Sequence, residues 1–183
     1  LGETNRKFER RRLRPLAVAA ALALAAGCAG ARAVPGQTDR SSPVSSVVLP
    51  TLVGEPFALA QLRGEVILVS FFATWCFPCM VELPVVEGLQ RDFGPRGFEV
   101  VAVGMDLEGR QVLEPFVQSF HPSYRVLMAD QELREGRSAF GRISQLPTTV
   151  LLNRQGQVAA AWSGPADPAA LRKLVAELVE QPR

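Results

Sequence analysis

Histidine and cysteine are scarce, with one His and three Cys in 183 residues. A closed zinc site takes about four ligands, and no second Cys pair is available to complete one, so no metal is expected. A basic surface is also missing from the body of the chain. The first 27 residues hold 6 of the 20 Lys and Arg and 2 of the 18 Asp and Glu, which leaves 14 against 16, or −2, from Cys28 onward. A nucleic-acid binder keeps its basic stripe on the folded part, so nucleic acid is set aside. Gly104, Gly136, Gly141 and Gly156 are scattered and read as turn glycines. They make no phosphate-binding loop, and no nucleotide or other cofactor is expected. No internal repeat or low-complexity tract occurs. Long apolar runs are lacking too: the uncharged stretch 16–26 has eleven residues and would rise about 16 Å as a helix, roughly half a bilayer's hydrocarbon thickness. A permanent membrane span is therefore not expected.

What is present at the start is a basic segment, with Arg6, Lys7, Arg10, Arg11, Arg12 and Arg14, followed by that short apolar run. The order is that of an export signal. Ala25, Ala26 and Gly27 lead into Cys28, which resembles the lipobox of bacterial lipoproteins and implies lipidation of Cys28; ordinary signal cleavage and an uncleaved anchor are the alternatives. Each places the folded part outside the cytoplasm. The first residue is Leu1 rather than Met, so the true start is left open. Residues 29–46 are small, polar and punctuated by Pro and Gly, the composition of a flexible tether. The expected organisation is an export signal over 1–28, a tether over 29–46 and one domain over 47–183.

In that domain apolar runs alternate with helical patterns. Strands are expected over 66–72, 99–103, 124–128, 148–152 and 157–162, and helices from Cys76 and over 111–120, 133–140 and 168–179. The alternating part predicts a parallel sheet covered by helices on both faces. The turn cluster Asn153-Arg154-Gln155-Gly156 predicts a closing antiparallel hairpin, so the class is α/β with a mixed central sheet.

Directly after the first of these strands stands Ala73-Thr74-Trp75-Cys76-Phe77-Pro78-Cys79. Two thiols three positions apart at a helix start can close a small disulfide ring. The first also meets the helix's positive end and unpaired N–H groups, which favour a thiolate. Cys76 is then the nucleophile, and Cys79, one turn deeper, resolves the mixed disulfide. Pro78, with no N–H to lose, suits the first turn. A structural disulfide and half of a metal site are the other readings.

Taken with ELP behind the Cys pair, the strand ending in GMD and QLPTTVLLN near the end, FFATWCFPC resembles the thioredoxin fold and, more narrowly, the TlpA/ResA-type membrane-tethered thiol-disulfide oxidoreductases. The resemblance covers nearly all of 47–183. The extra helix and strand over about 110–130, lacking in cytoplasmic-type thioredoxins, point to the narrower family. It implies a three-layer thioredoxin-like fold with a helix-strand insertion and a redox-active disulfide. It also implies activity as a reductase of extracytoplasmic disulfides, notably in cytochrome c maturation. The implied partners are a protein disulfide substrate, such as an apocytochrome or a copper-site thiol, and a transmembrane thiol electron donor. It further implies that a lipid or signal anchor holds the domain at the outer face of the cytoplasmic membrane.

The resemblance also assigns residues. Thioredoxins carry a buried Asp six residues before the first Cys, where this chain has Ser70. Glu82, on the same helix face as Cys79, is the implied substitute, moving the proton that Cys79 must lose; the alternative is an exposed helical Glu. Pro147 matches the family's cis-proline, with Leu146 presenting its backbone to substrate. Trp75 is expected to shield the disulfide rim, and Trp75, Phe77, Pro78, Leu146 and Pro147 together to line the substrate groove. Pro84 should remove one hydrogen bond from the helix and kink it. His121 is assigned no role.

Two other functions stay open. A peroxiredoxin-like peroxidase shares the Cys-to-ELP pattern, but with Cys79 as its peroxidatic thiol the Thr it needs is replaced by Cys76. A copper or metal-handling module of this fold spaces its Cys by three residues rather than two and would have only His121 as a further ligand.

Overall fold

Seven consecutive β-branched, aliphatic and aromatic positions, broken only by Ser70, make β3 (Val66–Phe72), and all seven side chains are buried. Such a run needs cover on both faces, so it belongs at the centre of a sheet. In the computed structural model, which describes residues 44–182, β3 is the middle of five strands. The expected export signal, Cys28 and the tether up to residue 43 lie outside the described residues.

β4 (Phe98–Gly104) pairs in parallel with β3, from Val66 opposite Phe98 to Phe72 opposite Gly104. β5 (Arg125–Met128) adds in parallel on the far side of β4. On the other flank β6 (Thr148–Leu152) runs antiparallel to β3, and β7 (Val158–Ser163) runs antiparallel to β6 through the expected hairpin. The sheet is mixed, in the order β5-β4-β3-β6-β7.

The strand period of two divides the core. Val66, Leu68 and Phe72 face one layer together with α1 (Phe77–Phe93), α2 (Arg110–Phe120) and α4 (Pro168–Glu180). Ile67, Val69 and Phe71 face the other, under Leu133 of the short α3 (Gln131–Arg134), the 3-10 turn Leu59–Leu62, and Leu49 and Phe57 of the small antiparallel pair β1 (Val48–Leu49) and β2 (Phe57–Ala58). The result is a three-layer thioredoxin-like α/β fold carrying the extra α2-β5 unit.

Several local expectations change. Val44 is buried in the second layer, so the packed part begins at least three residues before the expected Val47. The helix expected over 133–140 is one turn, capped by the Asp130 carboxylate on the Leu133 N–H. Gly104 sits at the end of β4 rather than in a turn. A Cβ there would lie 2.5 Å from both methyl carbons of Leu113, so it is close approach of α2 that requires glycine. Pro84 lies inside α1, where it was expected.

Topology brings three chain ends to one rim. β3 and β4 run in parallel, so both finish there, while β6 is antiparallel and begins there, Phe71 facing Thr148. The segments after β3, after β4 and before β6 therefore converge at one edge of the sheet, where ligands of open α/β sheets bind.

Candidate active site

Cys76 is the N-cap of α1, with Phe77 and Pro78 as the first two helical residues. This sets one sulfur over the helix's free N–H groups and the other one turn inside. Cys76 and Cys79 are joined in a disulfide, with Cα atoms 5.3 Å apart. The Cys79 N–H points at Cys76 Sγ, 3.3 Å away. That N–H and the helix dipole would stabilise a thiolate on Cys76 once the bond is reduced. Both cysteines are buried, Cys79 the more deeply.

Glu82 lies one turn beyond Cys79 and is 6% exposed, so the reading as a surface carboxylate does not hold. Its Oε1 accepts from the Ala166 N–H at 3.1 Å and its Oε2 from the Thr149 hydroxyl at 3.5 Å. Thr149 is the strand partner of Ser70. The helix carboxylate thus reaches the hydroxyl next to the position where thioredoxins carry their Asp. Burial pushes the Glu82 carboxyl above the usual carboxylate range, against the opposing pull of its two hydrogen bonds.

The Leu146–Pro147 peptide is cis. Pro147 is buried, its carbonyl accepting from the Gly164 N–H at 2.8 Å and its neighbour Thr148 donating through its hydroxyl to the Gln145 carbonyl at 2.7 Å. Gly164 has φ +85°, and a Cβ on it would come within 2.9 Å of the Gln145 amide, so the loop is held from both sides.

A groove of about 450 Å³ runs between this loop and the helix start. It is lined by Trp75, Cys76, Phe77 and Pro78 on one wall and Met105, Ile143, Ser144, Gln145 and Leu146 on the other, with no charged side chain. Trp75 is 72% and Phe77 77% exposed. Trp75 therefore stands as an open wall beside the disulfide more than a cover on it. Phe77 and Pro78 form a ridge, behind which a second apolar groove, bounded by Val81, Val85, Pro165 and Pro168, reaches down to Glu82.

Sequence reasoning left out Asp106. It is 1% exposed, and its carboxylate accepts from Thr74 twice over, from the N–H at 3.0 and 3.1 Å and from the hydroxyl at 2.6 Å. Arg134 in turn donates to the Asp106 carbonyl at 2.8 Å. The available signal was position: an acidic residue just past a parallel strand, on the rim where the Cys segment also lies. His121 caps the C-terminal end of α2 in a left-handed conformation, φ 48°. Among the described residues no group of three or more His, Cys, Asp or Glu is placed to hold a metal ion.

A model of the Redoxin family matches residues 37–178. The chain is 29% identical over 127 residues to the thiol-disulfide oxidoreductase ResA of Bacillus subtilis (strain 168), covering 69% of this chain and 68% of that protein. It is 32% identical over 117 residues to the thiol-disulfide oxidoreductase ResA of Halalkalibacterium halodurans, covering 64% of each. Both alignments span about two thirds of those relatives' length. A crystal structure of a thioredoxin-family thiol:disulfide interchange protein from Chlorobium tepidum TLS superposes with a TM-score of 0.64 at 30% identity, over 75% of this chain and 96% of that one. A DsbF homologue from Corynebacterium diphtheriae shares the fold, with a TM-score of 0.67 at 19% identity over 83% and 97% of the two chains.

Proposed function

The chain belongs to the Redoxin family as a ResA-like thioredoxin-fold oxidoreductase, and from that premise we propose that it is an extracytoplasmic reductase of protein disulfides, acting in cytochrome c maturation or a similar thiol-delivery task. The observation that carries this reading is the Cys76–Cys79 disulfide at the start of α1, opening onto an uncharged groove beside the cis Leu146–Pro147 bond.

In the reduced protein the Cys76 thiolate attacks one sulfur of a substrate disulfide, forming a mixed disulfide and releasing the other substrate sulfur as a thiolate. Glu82 takes the proton from the Cys79 thiol. The Cys79 sulfur then attacks Cys76, the second substrate sulfur leaves, and both substrate sulfurs end as thiols while Cys76 and Cys79 are oxidised together. Two electrons pass to the substrate. A membrane dithiol carrier returns them, and tethering of the domain through Cys28 or an uncleaved signal raises the local concentration of that carrier. Substrate backbone pairs with Leu146 by strand addition, and Trp75, Phe77 and Pro78 form the facing wall. An apocytochrome or a copper-site protein supplies the disulfide.

The test is trapping. With Cys79→Ser, Cys76 has no partner to release it, and a mixed disulfide with a disulfide-bonded apocytochrome peptide accumulates on non-reducing gels; with Cys76→Ser none forms. Trapping by Cys76→Ser and not by Cys79→Ser would reverse the roles. Peroxide turnover by the thiol pair without a disulfide substrate would move the chain to the peroxidase class.

A further inference from the structure

Asp106 is a buried carboxylate, and none of the ion pairs among the described residues includes it. Burying a charge without an ionic partner is unfavourable unless hydrogen bonds offset it, and here all the offsetting donors come from one residue, Thr74. An asparagine could accept the same bonds without a buried charge. The carboxylate is held on Thr74, two residues before Cys76 and so about 7 Å of chain from it, and a buried charge at that place is what calls for a role.

We infer that Asp106 is a positioning residue of the redox couple: through Thr74 it holds the Thr74-Trp75-Cys76 segment, and its charge keeps the couple more reducing than the helix terminus alone would leave it. The inference rests on the Cys76–Cys79 pair being redox-active. Two influences act on the Cys76 sulfur in opposite directions. The α1 N-terminus and the Cys79 N–H favour the thiolate and hence the reduced form. The Asp106 charge disfavours the thiolate and shifts the equilibrium toward the disulfide, which makes the protein a stronger reductant. The charged groups Glu82 and Arg134 are unchanged in every variant compared below, so they cancel from the shifts. The groove at Cys76 has no charged lining, Glu82 lies one turn deeper on α1, and Arg134 from α3 meets the Asp106 carbonyl rather than its carboxylate. The Met105 N–H bonds the Phe72 carbonyl at 2.7 Å, extending the β3-β4 pairing up to the clamp, so the charge has a rigid mount.

The experiment is the equilibrium of the full-length protein with a dithiol buffer, for wild type, Asp106→Asn, Thr74→Val and Thr74→Ser, with thermal unfolding of each. For Asp106→Asn the expected result is a tenfold shift toward the reduced form, about 30 mV less negative for a two-electron couple. In Thr74→Val the hydroxyl that partly neutralises the carboxylate is gone, the field at Cys76 strengthens, and the shift is in the opposite direction. This second variant keeps the inference open to refutation if Asp106→Asn does not fold. Thr74→Ser, which keeps both donors, retains the wild-type equilibrium. Lower melting temperatures with unchanged equilibria in both variants would show a purely structural clamp and overturn the inference. A wild-type protein with no two-electron transition would overturn it together with the redox reading, whereas a normal wild-type transition with unshifted variants removes the inference alone.

Discussion

Glu82 meets two opposed demands: it must be dry enough for its carboxyl to hold a proton above the usual carboxylate range and near enough to Cys79 to exchange it. Desolvation raises its carboxyl above the usual carboxylate range, and the Ala166 and Thr149 bonds restrain the rise. For an acid whose folded-state pKa lies above the unfolded one, the stability contribution is full below the unfolded value and is lost as pH rises through the folded one. Glu82→Gln, which can keep both hydrogen bonds, should therefore melt higher than wild type at neutral pH, with the gap closing on acidification towards pH 4.5. The same variant has no proton acceptor. Release of substrate thiol, followed by stopped flow, should slow by about 10²-fold and lose the inflection that wild type shows above the ordinary carboxylate range. At this scale the thiols were legible from their spacing at a helix start, and the places of Glu82 and Pro147 from the family resemblance. Asp106, Thr149 and Ala166 were not, because their contacts with Thr74 and Glu82 span 32, 67 and 84 positions and arise only when strands pair.

At the scale of elements, the α2-β5 unit depends on one small residue. Leu113 is fully buried against Gly104, and the Gly104 carbonyl accepts from the Ala129 N–H at 2.9 Å just after β5. Gly104→Ala inserts a methyl where two methyl carbons already stand. It should destabilise the protein by about 1–3 kcal/mol in urea unfolding, and Leu113→Ala in the same chain should recover part of the loss, as a coupled pair requires. The five strands of the main sheet and three of the helices were legible from periodicity, since long runs such as 66–72 bury every side chain. The β1-β2 pair was not. Each strand has two residues, too few for alternation to register, and they are held by tertiary bonds such as Met128 N–H to the Pro50 carbonyl at 2.9 Å. The helix expected over 133–140 stops after one turn, where Gly136 takes φ +75°.

For the whole molecule, the redox chemistry and the Arg154 clamp lie at opposite rims of the sheet. While the Cys loop, Asp106 and Pro147 gather at one, Arg154 closes the other. It is 7% exposed and donates to the carbonyls of Gly64, Arg96, Gly97, Val179 and Gln181, joining the approaches to β3 and β4 to the end of α4. In the sequence it read as one member of a turn cluster, because nothing local reveals which distant carbonyls a guanidinium will collect. Arg154→Ala leaves those acceptors without their donor and should lower stability by on the order of 3 kcal/mol. The urea midpoint should fall with the slope unchanged, and the redox equilibrium should not move, since the rim that carries the thiols is left intact. That separation is what allows the direction of electron flow to be asked of the intact protein. The most direct measurement is the reduction potential of the Cys76/Cys79 pair in the full-length protein, titrated in thiol buffers and followed by thiol labelling. The expected result is a two-electron transition at about −270 mV, the range of a reductase that needs an electron donor. A value near roughly −120 mV, that of a disulfide-forming oxidant, or the lack of any two-electron transition would contradict it.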